Sequence, residues 1–288
     1  CDMARNRDYR DEQVGIYATG YNPDRTGDDT LLIGRVTGSD EEIRLIIVSY
    51  GCHPTTLAWD NTLISPDYIG ALREVIETDT NAPCCFFQAP SGDLGPRDGF
   101  VGDLAVADRN GKQVGHAALS ALYGMGAPRH DFAYAGPVVS GATIGTWAWD
   151  GHSEDRINDT RLFQGGTFDV ELNLIDLPTQ ESLQKDIARY IEEQTDATER
   201  GDKIAARDLG ARAERCRRWM GRLETLPEGK TFPYHFSVFQ FGDAVWVTCS
   251  AEPYSWLQIE LRKRFPDLTL MASSLAGDHQ GAYLLPRK

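Results

Sequence analysis

The segment Ile46–Tyr68, reading IIVSYGCHPTTLAWDNTLISPDY, sets the strongest limit on what this chain can fold into. A β-branched apolar run (Ile46, Ile47, Val48) stops at Gly51, and Cys52–His53–Pro54 follow at once. Asn61–Asp67 then lead into a stretch whose apolar residues, Tyr68, Leu72, Val75 and Ile76, recur at helical spacing. Strand, loop and helix in that order are the unit of an α/β layer. Open sheets of this kind place ligands at the carboxyl ends of their strands, which is where His53 falls. The plain alternative is a loop histidine satisfied by ordinary hydrogen bonds, and the other strand-end loops decide between the two.

The same order recurs along the chain. Thr30–Thr37 and Glu42–Tyr50 read as two strands joined by a turn at Gly38–Glu41. Ser65 as N-cap, Pro66 at the first helical position and Asp67 at the positive end of the dipole predict a helix from there. Pro83–Gln88 is a short buried strand running into the loop Ala89–Pro96, and Gln113–Tyr123 is a second helix rich in small residues. Residues 1–30, polar and punctuated by Gly20, Asn22–Pro23 and Gly27, read as surface loops. Residues 136–178 are strand and loop, with Phe168–Leu177 alternating.

Thr179–Arg200 and Lys203–Leu226 form two charged amphipathic helices broken at Gly201–Asp202. They predict an antiparallel helical hairpin over 179–226, with intramolecular packing favoured over a coiled-coil partner because the apolar positions are few. Tyr234–Phe241 and Ala244–Cys249 then pair through Gly242–Asp243, followed by the helix Tyr254–Phe265 and the strand Leu268–Ser273. The expected fold is α/β: a layered mixed sheet flanked by helices, with the helical hairpin inserted, all in one domain over 1–288. The chain opens at Cys1 in what reads as mid-domain sequence and stops at Lys288 with the domain unfinished, so upstream and downstream parts are expected.

Composition removes several functions. A net charge of −14 repels nucleic acid and anionic membranes. No apolar run approaches the roughly 20 residues of a membrane helix. Six cysteines without CxxC pairing or regular spacing make no disulfide framework in a chain this long, and Cys84 and Cys85, inside an apolar run, read as buried thiols. The partner expected is a small-molecule or lipid-like substrate, with the compartment and the oligomeric state open.

Four strand-end loops can meet at one sheet edge: Gly51–His53, Ser91–Pro96, Ser250–Glu252 and Gly277–Tyr283. His53, Glu252 and Tyr283 are ligand-capable, and an imidazole with a carboxylate is a normal partial set for Zn²⁺. No local HExxH motif accompanies them. Tyr283 can equally be a half-buried aromatic. Asp93 reads as a turn or cap residue rather than a catalytic base. His279, four residues before Tyr283, is a candidate to orient a ligand by hydrogen bonding. His116 reads as structural, and His130 and His152 as loop residues.

Taken together, CHP…NTLISPD (Cys52–Pro54 with Asn61–Asp67), SGDLGP (Ser91–Pro96), Glu252–Pro253 and GAYLLP (Gly281–Pro286) resemble the neutral/alkaline ceramidase family, collinear over nearly the whole chain. The resemblance implies a zinc-dependent amidase that cleaves the N-acyl bond of ceramide, with His53, Glu252 and Tyr283 as zinc ligands. The family's other zinc histidine belongs to an HTHSGP-like motif that this sequence lacks, consistent with a part upstream. Its catalytic serine falls on Gly95, and Ser91 lies four residues too early to be the same group. Ser91, Asp93 and Gly95 are therefore the candidate catalytic positions, with a metal-activated water able to attack in place of a serine. The resemblance also implies a secreted or envelope-associated protein.

Two other functions stay open. A non-catalytic binding protein on a degenerate hydrolase scaffold is supported by Gly95. An N-terminal-nucleophile amidohydrolase would use the Cys1 thiol, activated by its own amine.

Overall fold

The computed structural model describes residues 1–59, 61–277 and 282–286. It divides into two compact units, one of residues 1–168 with 235–288 and one of residues 169–234.

The first unit is α/β. Its first sheet has Ile43–Tyr50 in the middle, antiparallel to Leu31–Thr37 and parallel to Cys84–Gln88. β-branched residues predominate in the central strand, and Ile46, Val48 and Tyr50 are fully buried. A second sheet has, within this unit, residues 163–168 and 235–241 of its strands Phe163–Asn173 and Thr231–Phe241, followed in order by Ala244–Cys249 and Thr269–Ser273. Ala244–Cys249 is antiparallel to its hairpin partner and parallel to Thr269–Ser273. The edges of the two sheets meet where Phe87 sets its ring edge-on to Trp246, 4.5 Å between centroids, and Ser274 N–H donates to the Gln88 carbonyl at 2.8 Å. Mixed sheets between helices match the expected class.

Helices Tyr68–Thr80 and Leu104–Tyr123 cover the first sheet, and Tyr68, Leu72, Ile76, Val114 and Ala118 join Ile46 and Val48 in one core. Two helix starts depart from the sequence reading. The first helix is capped by Asp67, not Ser65: Asp67 takes φ 54°, its carboxylate accepts from the Tyr68 and Leu57 N–H groups, and Ser65 Oγ accepts from Asp67 N–H instead. The second helix begins nine residues before the expected start, capped by Asp103, and runs through Asn110–Gly111. The two helices approach so closely at Gly111 that a Cβ there would sit 2.2 Å from the Tyr68 carbonyl oxygen.

The amino-terminal residues are not surface loop throughout. Met3, Ala4, Asn6 and Arg7 are buried because Ala4–Asn6 pairs antiparallel with Leu94–Pro96. Cys85 corrects another expectation: Cys84 is buried but Cys85 faces out, as alternation along a strand requires. A long hairpin, His130–Ser140 with Ala142–Gly151, shows solvent both faces of its aromatic ladder, Phe132 against Trp149 and Tyr134 against Trp147.

The second unit contains helices Gln180–Glu199 and Lys203–Thr225. Thr179 and Asp202 cap them through side-chain acceptors, and Leu183, Ala197 and Ala213 are buried. Among the described residues no helix is long and apolar enough to cross a membrane.

Candidate functional site

The parallel register Tyr50↔Gln88 brings the loops after both strands side by side. His53 enters the second loop through one oxygen: its N–H reaches the Leu94 carbonyl at 3.2 Å, and its ring Nδ1 reaches the same oxygen at 3.0 Å. A carbonyl only accepts, so Nδ1 is the donor to Leu94, and Nε2 faces outward. There it meets Glu252 Oε2 at 3.1 Å.

Glu252 is placed by a short ladder. Glu252–Pro253 runs parallel to Tyr283–Leu284 with Glu252 directly opposite Tyr283. Glu252 N–H donates to the Ala282 carbonyl at 2.9 Å and Tyr254 N–H to that of Leu284 at 3.1 Å. The pairing puts the carboxylate and the phenol within hydrogen-bond reach. The hydrogen bond from His53 holds the Glu252 carboxyl below the ordinary carboxylate range, with help from Tyr283 and Arg7 and against its partial burial. Burial pushes the Tyr283 phenol up, and Arg7 opposes this.

Arg7 is the residue the sequence reading missed. It is buried, its Nε and Nη2 donate to the Gly92 carbonyl at 3.1 and 3.0 Å, and Nη2 also reaches Tyr283 Oη at 3.2 Å. Its neighbours in sequence are polar, so no local pattern marks it. Its burial comes from pairing with residues almost ninety positions away.

The structure thus gathers His53, Glu252, Tyr283 and Arg7 from four distant segments. The candidates of the Ser91–Pro96 loop are bound into its frame. Ser91 is buried, with Oγ accepting from Gln88 Nε2 at 2.6 Å. Asp93 accepts from Ser255 N–H at 2.7 Å and Ser255 Oγ at 2.9 Å, one carboxylate oxygen for each. Gly95 lies opposite Arg5, and a Cβ there would meet Arg7 Cδ at 3.5 Å and Thr55 Oγ1 at 4.0 Å, both ordinary contacts. Thr55 Oγ1 is buried and makes no hydrogen bond among the described residues. His279 and Gly281 lie outside the described residues.

The donor set is one imidazole nitrogen, one carboxylate and one phenol, chemistry that suits zinc, with the Leu94 carbonyl orienting the imidazole as an outer partner does at metal sites. Among the described residues, however, no three His, Cys, Asp or Glu side chains converge as metal ligands do.

No family model matches this sequence, and no curated protein matches it. Solved structures do. Ceramidase complexed with C2 superposes with a TM-score of 0.50 at 15% identity, over 99% of this chain and 46% of that one. Neutral ceramidase from Pseudomonas aeruginosa gives 0.48 at 16% identity, over 99% and 45%. At such identity the first likeness defines a fold alone: this chain has a ceramidase-like α/β fold. It spans less than half the length of the structures it matches.

Proposed function

We propose that this chain carries the catalytic face of a zinc-dependent hydrolase that cleaves an amide, of the ceramide-like N-acyl kind, or an ester. The convergence of His53, Glu252 and Tyr283 beside a buried arginine carries the reading. His53 would give its Nε2, fixed by the Leu94 carbonyl, and Glu252 and Tyr283 would give oxygens. Zinc, when bound, supplies a low-pKa water and polarises a carbonyl. Arg7 holds a positive charge at the Tyr283 hydroxyl, placed to stabilise negative charge developing on a substrate oxygen. Gly95 offers no hydroxyl, and Ser91 and Asp93 are engaged by Gln88 and Ser255, so the loop contributes shape and backbone rather than a nucleophile.

The same observation favours a second reading, a binding protein on a degenerate hydrolase scaffold. Elemental analysis of the full-length protein, with His53→Ala and Glu252→Ala and a panel of N-acyl and ester substrates, separates the two. About one zinc per chain, lost in both variants together with hydrolysis, supports the hydrolase. A metal-free protein without hydrolysis leaves the binding protein.

A further inference from the structure

A cavity of about 670 Å³ opens in the first unit away from the His53 loop. Its lining takes in Thr37 and Gly38, by the Ile43 end of the first sheet, and Ala244 and Thr269, the first rung of the second. These are the starts of the strands whose other ends carry Gly51 and Glu252. The volume falls in the range of small-molecule pockets.

Its walls are of two kinds. Ile47, Met125, Phe163, Phe241 and Met271 make an apolar side. The same lining holds the cations Arg35, Arg129, Arg156 and Arg161 and the carboxylates Asp131 and Asp243. His152 N–H donates to the Arg129 carbonyl at 2.7 Å. Arg35 donates to the Gly126 carbonyl at 2.6 Å and Arg129 to that of Gly38 at 3.2 Å, so each ties down the segment that carries the other. Neither has a carboxylate partner among the described residues, whereas Arg156 pairs with Asp243 and stands 4.0 Å from Asp131. Burial alone lowers the pKa of Arg35, as for a cation without a facing anion. His152 adds an independent sign. Its side chain is only 9% exposed and lines the cavity, yet neither ring nitrogen makes a hydrogen bond among the described residues. Nε2 stands 3.2 Å from Asp131 Oδ1, in distance but off the hydrogen-bonding direction. Buried polar groups left this way are answered by a ligand or a water.

We propose that this cavity binds a single-chain anionic amphiphile, a medium-chain fatty carboxylate, with its head on Arg35 and Arg129 beside His152 and its chain along the apolar wall. Planar guanidiniums suit a carboxylate, and desolvation strengthens the pair. The inference is independent of any hydrolysis at His53.

Calorimetric titration of the full-length protein with decanoate, below its micellar concentration, tests it. Saturable binding to one site is expected, weakened about tenfold or more for decanol and in Arg35→Gln and Arg129→Gln, because each removes one charge-assisted contact. His53→Ala and Glu252→Ala should bind decanoate as the parent does. If Arg35→Gln does not fold, Arg129→Gln alone carries the comparison. No saturable binding, equal affinity for decanol, indifference to Arg129→Gln, or loss in His53→Ala each overturns the proposal.

Discussion

His53 and Leu94 are joined twice, main chain to main chain and ring to main chain, through a single carbonyl oxygen. The doubled bond fixes the position and the ring orientation of the imidazole, so Nε2 is presented to Glu252 rather than left to rotate. Leu94 itself is fully buried, so the orienting carbonyl is anchored in the core.

This arrangement predicts a pH signature. The Glu252 carboxyl is held below its ordinary value of 4.5, chiefly by His53, so its folded form favours the ionised state. A depressed carboxylate contributes stability that is present above the unfolded value and lost as pH falls through the folded one. Thermal midpoints of the parent and of Glu252→Gln should therefore converge as pH is lowered from neutrality to below 4.5. Curves that stay parallel over that range would refute the pairing.

Arg7 is expected to matter for folding as well as for the site. Arg7→Ala leaves the Gly92 carbonyl without its two donors and should cost about 2–4 kcal/mol, as for other disrupted buried networks. Arg7→Lys should recover little, because an ammonium cannot reproduce the planar fork. Urea denaturation of the three proteins measures both effects.

Two glycines on helices should respond in opposite directions. Gly111→Ala drives a methyl to 2.2 Å from the Tyr68 carbonyl and should destabilise by about 1–3 kcal/mol despite alanine's better helix propensity. Gly221→Ala, with nothing within 4 Å of its Cβ, should stabilise by about 0.5–1 kcal/mol. Equal shifts of one sign in the melting temperatures would contradict the packing described.

Gly95→Ser should fold with little change in stability, within about 0.5 kcal/mol, since its Cβ makes only ordinary contacts. Its hydroxyl would lie near Thr55 Oγ1, which makes no hydrogen bond among the described residues. If the chain is a hydrolase, turnover of an N-acyl substrate by this variant should rise or persist; a destabilisation of several kcal/mol would show the niche to be closed.

The adjacent cysteines offer a chemical check. Burial pushes the Cys84 thiol up to about 12, whereas Cys85 is exposed. Iodoacetamide at neutral pH should label Cys85 in the folded protein and reach Cys84 only on unfolding, as peptide mass spectrometry would show.

The parts of this molecule that sequence reveals are those whose information is local. The apolar runs of Ile43–Tyr50 and Ala244–Cys249 and the helical spacing from Tyr68 to Ile76 each declare an element within a few residues. The second helix reaches back past Gln113 to Leu104, and what keeps a glycine at position 111 within it lies on another helix, at Tyr68. Asp67 displaces Ser65 as the cap through a left-handed backbone angle that composition does not show. At the site, His53, Glu252 and Tyr283 stand out as strand-end groups, and the structure brings them together. Arg7 could not stand out, since the strand that buries it is made only when residues 4–6 meet residues 94–96.

The ladder that seats Glu252 against Tyr283 is two residues wide, whereas the pairing beneath His53 spans five. Local opening follows the number of bonds that must break together, so these parts need not share one stability. The carboxylate and the phenol can separate from the imidazole while the sheets remain intact. Hydrogen exchange at the Glu252 and Tyr254 amides should accordingly outpace that at Ile46 and Val48. The chain then behaves as a rigid holder for one donor and a hinged holder for two, and whatever binds among them would act as the latch.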